Sequence, residues 1–178
     1  APFPYFGSKR HAAGLIWQAI GDVASYCEPF AGSLAVLLRR PGGPGRIETI
    51  NDLSGHVANF WRSVKSQPEE VARHLNYPVI EQDLHARHRW LLARHADLVA
   101  GIDGDPDWCD PKAAGWWACG ASAWIGSGWC DQGRAPSTKL PHLSTSGAAV
   151  HAVSASLDGW CAALAGRLRR VRVTCGDW

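Results

Sequence analysis

Three short stretches carry residue types that could do chemistry together. Glu28-Pro29-Phe30-Ala31-Gly32-Ser33 places a carboxylate before a corner with no bulky group at its tip. Asn51-Asp52 ends a strand-like run, with Asp52 twenty residues beyond Gly32, and Tyr5 and Lys9 precede both in Pro4-Tyr5-Phe6-Gly7-Ser8-Lys9. A strand passing through a glycine corner into a helix is where open parallel sheets hold ligands, at the carboxyl edge of the strands. Without a Cβ, Gly32 would let a ligand lie against backbone, and amides at the following helix start would add a favourable dipole. A carboxylate ending the next strand is placed to accept hydrogen bonds from ribose hydroxyls. On these residues alone, a nucleoside-containing cofactor and a tight turn with a helix-capping Asp explain the pattern equally well. The corner is not G-x-G-x-x-G and lacks the close glycine pair that admits a pyrophosphate. That argues against NAD and against a phosphate-cradling loop.

The elements that must position these groups follow from periodicity. Leu15, Ile16, Ala19 and Ile20 form an apolar stripe at helical spacing. "VASYCEP" predicts a strand, and "GSLAVLLRR" a short helix closed by the loop Pro41-Gly42-Gly43-Pro44-Gly45. "RIETIND" predicts a second strand and "SGHVANFWRSVKS" a helix with Val57, Phe60, Trp61 and Val64 on one side. β-α-β-α with helix-length crossovers implies parallel strands in an α/β sheet. After Pro68 the character changes. "PEEVARHL" and "EQDLHARHRWLLARHADLVA" are helical, a tryptophan-rich helix follows, and then a long Gly/Ser/Pro/Thr loop. From about Ser154 an amphipathic helix returns, then the strand "RVRVTC". The expected organisation is an α/β core over 1–66 and 154–178, interrupted by an all-helical insertion over 67–153.

Composition narrows the functional classes. A chain of 178 residues, 46% hydrophobic, can bury one good core. A net charge of +2 neither indicates nor excludes a nucleic-acid partner, because the local field at a groove decides that. No apolar run is long enough to span a bilayer, and the N-terminus lacks a signal pattern. A soluble intracellular protein with no membrane partner is the expectation. The six cysteines contain no C-x-x-C pair, and Cys27 and Cys175 fall in strand-like stretches, where free cysteine acts as a small hydrophobe. Cys109, Cys119, Cys130 and His142 are the group that could surround a metal, but their spacing argues against zinc. The chain has no methionine and stops at a strand exit, so it is expected to be a piece of something longer.

Taken together, "PYFGSK" (4–9), "EPFAGSLAV" (28–36) and "INDLS" (50–54) resemble, in order and spacing, the Dam-type DNA adenine-N6 methyltransferases. "GDW" at Gly176 to Trp178 is similar to that family's acidic-aromatic cofactor contact. The resemblance is specific over 1–66, weaker over 154–178 and positional between. It implies a Rossmann-like methyltransferase sheet with an inserted helical target-recognition region, here with its C-terminal strands absent. It implies S-adenosylmethionine as cofactor and double-stranded DNA as partner, in the cytoplasm of a bacterial or phage-infected cell, of a phage or restriction-modification kind. By the same resemblance, the Gly32 corner would seat the methionine part, walled by Phe30 and Ala31, with Glu28, Pro29, Ser33 and Leu53 in the same cofactor-binding set. Lys9 would pair with the methionine carboxylate or orient neighbouring acids, and Tyr5 would offer its face to the sulfonium. Asp52 would take the ribose hydroxyls, and Asp177 the adenine amino group with Trp178 on the ring.

In this family a D-P-P-aromatic motif after the "GDW" strand holds the amino hydrogens of a flipped-out adenine. The 178 residues contain no such motif. Asp105-Pro106-Asp107-Trp108 and Asp110-Pro111 lie in the insertion and have the composition of ordinary turns. This chain is therefore expected to be catalytically incomplete, the loop coming from a C-terminal segment or a second chain; a non-catalytic or split-enzyme protein is the alternative. A cytosine-N4 target is a weaker expectation. The insertion itself is not basic, with seven Lys and Arg against ten Asp and Glu between Gln67 and Val153. Its positives cluster, however. Arg87 and Arg94, with His88 and His95, recur at helical intervals suited to phosphates, and Arg134 and Lys139 lie in the polar loop "GRAPSTKLPHL". Trp116, Trp117, Trp124 and Trp129 could stack on bases, but Trp117 and Trp124, seven apart, would share a helix face, which points to core.

Overall fold

The computed structural model describes residues 2–5, 7–44, 47–125, 128–131 and 156–177. Three strands, β1 (Ser25–Glu28), β2 (Ile47–Asp52) and β3 (Val171–Cys175), form one parallel sheet in the order β1-β2-β3. Glu28 pairs with Ile50, and Asp52 with Cys175. The carboxyl ends of all three strands therefore emerge along one edge, which is where parallel sheets carry their ligands.

Seven helices accompany the sheet among the described residues: α1 (Ala13–Ile20), α2 (Gly55–Ser66), α3 (Pro68–Leu75), α4 (Glu81–Ala93), α5 (His95–Gly104), α6 (Pro111–Ala123) and α7 (Leu157–Leu168). α2 is central, packing on β2 and β3 and against α5, α6 and α7. Its Val57, Phe60, Trp61 and Val64 are all fully buried, as their spacing predicts. One hydrophobic cluster runs from Phe3 through Trp61, Leu75, Leu91 and Trp117 to Leu168 and Val171, so the middle helices share a single core with the sheet. Behind the sheet, Glu48 is enclosed between the Arg40 guanidinium at 3.2 Å and that of Arg167 at 2.7 Å.

Several elements differ from the sequence expectation. On α1 the buried residues are Ala13 and Trp17, whereas Leu15 is 69% exposed and Ala19 and Ile20 face solvent. Trp17 wins the inner face because its bulk packs on Tyr26 and its Nε1 donates to the Val36 carbonyl at 2.8 Å. "GSLAVLLRR" forms only a single 3-10 turn, Leu37–Arg39. Leu34 there has φ of 53°, and the Leu37 N–H donates to Glu28 Oε2 at 3.2 Å, so side chains take backbone groups that a helix would have used. The stretch expected as one helix over 81–100 breaks at Arg94 into α4 and α5. α6 ends at Ala123, so Trp124 leaves the helix face expected for it and stacks on His88, with centroids 4.7 Å apart. Cys27 lies in β1 but is exposed, not a core hydrophobe.

Candidate cofactor site

At the carboxyl edge, a cavity of about 330 Å³ is lined by Tyr5, Gly7, Ser8, Lys9, Glu28, Phe30, Ala31, Gly32, Ser33, Ala35 and Asp52. That volume lies within the range of small-molecule sites, about 300–1,000 Å³. Three stretches far apart in sequence meet there, because β1 and β2 are adjacent and parallel and the N-terminal segment crosses over their ends.

Gly32 anchors the corner. Its N–H donates to Asp52 Oδ2 at 2.8 Å, and its carbonyl accepts from Trp61 Nε1 at 2.8 Å. Its φ of 46° lies in the left-handed region that glycine adopts freely. A Cβ at this position would stand 2.6 Å from Tyr5 Cδ1, so the group that lies against the Gly32 backbone is the Tyr5 ring, where the sequence alone suggested ligand. Tyr5 is in turn held by Phe3 and Trp117. Burial, and then the Asp52 charge, push the Tyr5 phenol up to about 12, so it stays neutral.

Asp52 serves both meanings that its position allowed. Oδ1 accepts the Ser54 N–H at 3.0 Å, the local turn two residues on that aspartate favours, while Oδ2 holds the corner. Each carboxylate oxygen has two lone pairs, so one on each is left for a ligand hydroxyl. Asn51, absent from the sequence-derived site, ties the three strand ends together. Its Nδ2 donates to the carbonyls of Pro29 at 3.2 Å and Gly176 at 3.0 Å, and its Oδ1 accepts from Thr174 Oγ1 at 2.9 Å.

Glu28 is 3% exposed. Oε2 accepts from the Leu37 N–H at 3.2 Å and the Tyr26 hydroxyl at 3.3 Å, whereas the buried Oε1 has no hydrogen-bond partner. The closest cation, Lys9 Nζ, is 3.9 Å from Oε1 and donates instead to the Phe30 carbonyl at 2.8 Å. Burial raises the Glu28 carboxyl above its ordinary value, with Lys9, the Leu37 amide and Tyr26 pulling the other way. Beside the cavity, Glu28 thus has one carboxylate oxygen free of hydrogen bonds and paired only loosely with Lys9, an arrangement able to take a cationic or hydrogen-bond-donating group.

Of the residues singled out in the sequence, the cavity gathers Tyr5, Lys9, Glu28, Phe30, Ala31, Gly32, Ser33 and Asp52. Pro29 contributes only a carbonyl to Asn51. Leu53 is 71% exposed and Asp177 is exposed, both outside the cavity lining, and Trp178 lies outside the described residues. Gly7, Ser8 and Ala35 line the cavity without having been singled out; Ser8 Oγ meets Ser33 Oγ at 3.3 Å, and its place in "PYFGSK" was the available signal. Asp105 and Asp107 are exposed in a turn closed by the Asp107 N–H on Asp105 Oδ1, and Trp108 packs on Gly101, so this tetrad is spent locally.

The expected phosphate-facing side of the 81–100 stretch is not presented as such. Arg87 is 9% exposed, its guanidinium 4.5 Å from the Tyr77 ring centroid; His88 is buried, and His95 pairs with His56 at 3.5 Å. Arg94 is exposed, and Arg134, Lys139 and His142 lie outside the described residues.

The family model for D12 class N6 adenine-specific DNA methyltransferases matches residues 5–97, just over half of the sequence and the part that carries the whole cavity lining. The chain belongs to this family. No curated protein matches it. Among the described residues no helix is long and apolar enough to cross a membrane.

Proposed function

We propose that this chain is the S-adenosylmethionine-binding and target-recognition part of a DNA adenine-N6 methyltransferase, acting on a flipped-out adenine in double-stranded DNA. The observation that carries the reading is the convergence of Tyr5–Lys9, Glu28–Ser33 and Asp52 on one cavity at the carboxyl edge of a parallel sheet. The division into a Rossmann-like core (1–66 and 154–178) and a helical target-recognition insertion (67–153) belongs to the same proposal.

The residues present fit the cofactor. S-adenosylmethionine carries an ammonium and a sulfonium but no phosphate, and the corner offers carboxylates and aromatic faces but no phosphate cradle. Glu28 Oε1, buried, without a hydrogen bond and 3.9 Å from Lys9 Nζ, suits the ammonium. Lys9, held on the Phe30 carbonyl, suits the carboxylate, and the spare lone pairs of Asp52 suit the ribose hydroxyls. When bound, the cofactor supplies an electrophilic methyl group on sulfur. The chain's own part is to seat it, to exclude water with Tyr5 and Phe30, and to keep Glu28 ionised against its burial once a cation arrives. Leu53, Asp177 and Trp178 are proposed for the adenine end, and Arg94, Arg134 and Lys139 for DNA.

The groups that hold the adenine amino hydrogens are proposed to lie outside residues 1–178, in a further segment or a second chain, because no D-P-P-aromatic motif occurs in the sequence. That absence also favours a second reading, a cofactor-fold protein without transfer activity. Calorimetric titration with S-adenosylmethionine tests the first step: saturable heat in the wild type and its loss in Asp52→Ala are expected, and no heat in the wild type would end the cofactor reading. Methyl transfer to duplex DNA, measured with and without the remainder of the gene product, separates an enzyme from a binding protein.

A further inference from the structure

Away from the cofactor cavity, α4 and α6 bring two indoles together. Trp90 and Trp116 meet edge to face with centroids 5.1 Å apart, and with Asp83, Ala86 and Arg87 they line a second cavity of about 340 Å³. Cations lie on both rings. Arg94 Cζ is 4.7 Å from the Trp90 centroid; Lys112 Nζ is 5.0 Å from Trp90 and 4.5 Å from Trp116; Arg87 Cζ is 5.4 Å from Trp116.

The acids of this surface are already engaged. Glu70 pairs with Arg73 at 2.6 Å, Asp83 with Arg87 at 3.9 Å, and Asp110 accepts the Ala113 N–H as the N-cap of α6. Among the described residues, Arg94 and Lys112 have no carboxylate oxygen within 4.0 Å. Lys112 moreover sits in the first turn of α6, where the helix dipole opposes a cation, so its charge and the helix end add to one positive potential. Trp116 Nε1 is buried with no hydrogen-bond partner, and an indole N–H can only donate. The site therefore combines two cations without a carboxylate partner and an apolar floor, which an anion with an attached sugar would complete.

The geometry points to this groove as a DNA-backbone contact, with successive phosphates of one strand at Lys112 and Arg94 and the deoxyribose between them against Trp90. The inference rests on the DNA-methyltransferase reading for its choice of occupant. A polyanion fits better than a free nucleotide, because the cations are strung from the end of α4 to the start of α6 and do not close around one anion. The contact positions and does not specify, since it reaches phosphate and sugar but no base edge. Arg87 takes no part in this contact, since its guanidinium is turned onto the Tyr77 and Trp116 rings.

The test is fluorescence anisotropy of a labelled short DNA duplex titrated with the full chain across about 50–200 mM salt, where phosphate contacts show their steepest effect. Wild type, Lys112→Gln and Arg94→Gln are compared, with circular dichroism as a check of folding and S-adenosylmethionine calorimetry alongside. Each variant is expected to weaken binding by about five-fold or more at the low-salt end and to reduce the log–log salt slope by about 0.9, one phosphate contact each. Arg94 is exposed, so its variant reports even if Lys112→Gln loosens α6. Unchanged affinity and slope in Arg94→Gln would overturn the proposal, and so would a wild type that binds no duplex. Competition by inorganic phosphate as effective as by duplex would mean a simple anion site and would also overturn it. Loss of cofactor heat with DNA binding intact would instead count against the cofactor reading alone.

Discussion

The Asp52 carboxylate accepts the Gly32 N–H at 2.8 Å, joining the end of β2 to the corner beyond β1 across twenty residues of chain. Because its other oxygen holds the Ser54 N–H at 3.0 Å, one side chain joins the corner to the turn that leads into α2. Asp52→Ala leaves the buried Gly32 amide without an acceptor, which costs about 1–3 kcal/mol. Asp52→Asn can face only one of the two donors with oxygen, so it too should lose stability, though less. Urea midpoints are expected in the order wild type, Asn, Ala, with cofactor heat lost in both variants. Equal midpoints for all three would mean that the two hydrogen bonds do not hold the corner.

Gly32→Ala tests the other side of the same corner. An alanine at φ of 46° costs about 1–2 kcal/mol in backbone terms, and its Cβ would press on the Tyr5 ring at 2.6 Å. Tyr5→Ala removes the obstacle but also its packing on Phe3 and Trp117. The double variant Gly32→Ala/Tyr5→Ala should therefore be less destabilised than the two single changes added together, since contacting residues couple. Strict additivity in urea unfolding would show that the ring and the glycine do not meet.

Glu28 should make the site sensitive to pH. Its folded-state carboxyl is raised above the ordinary 4.5, chiefly by burial. Between those two values the folded state binds the proton more tightly than the unfolded chain does. Stability therefore falls as pH rises through that window, and the cost of a buried anion persists at neutral pH. Glu28→Gln keeps an oxygen for the Leu37 N–H while removing the charge. It is expected to be at least as stable as wild type at neutral pH and to bind S-adenosylmethionine at least ten-fold more weakly. The opposite pair of results, lower stability with unchanged affinity, would leave Glu28 a structural residue only.

How far the sequence showed this in advance depends on what each residue answers to. β1, β2, β3 and the inner face of α2 follow from local pattern, since Val57, Phe60, Trp61 and Val64 bury where helical spacing puts them. α1 did not follow, because Trp17 is chosen by a carbonyl nineteen residues away and not by the neighbours that make Leu15 and Ile20 look like a stripe. The helix after the corner failed for a similar reason: a buried carboxylate from β1 captures the Leu37 amide. Within the site, motif spacing found Gly32, Glu28 and Asp52. It could not show the tying role of Asn51, two of whose three hydrogen bonds exist only once β3, more than 120 residues later, lies beside β2.

The acid limb of stability should rest chiefly on His56. Its ring is 3% exposed in the first turn of α2, lies nearly parallel to Trp117, and meets His95 at the start of α5, with Nε2 and Nδ1 3.5 Å apart. Burial first, and then the neighbouring His95, lower His56 from 6.5 to about 4. The folded state thus keeps the ring neutral where the unfolded chain would protonate it. The resulting stability is fully present above pH 6.5 and is lost as pH falls toward 4, on the order of 3 kcal/mol in all. His56→Leu fills much of the same space without a titrating group, so its urea midpoint should fall less over that interval than the wild type's, with His74 and His88, both also lowered by burial, supplying the remainder. Because Trp117 also touches Tyr5, cofactor affinity in the wild type should decline over the same range and stay flatter in His56→Leu. Parallel acid limbs in the two proteins would place the titration elsewhere and remove His56 from any part in coupling the helices to the cofactor corner.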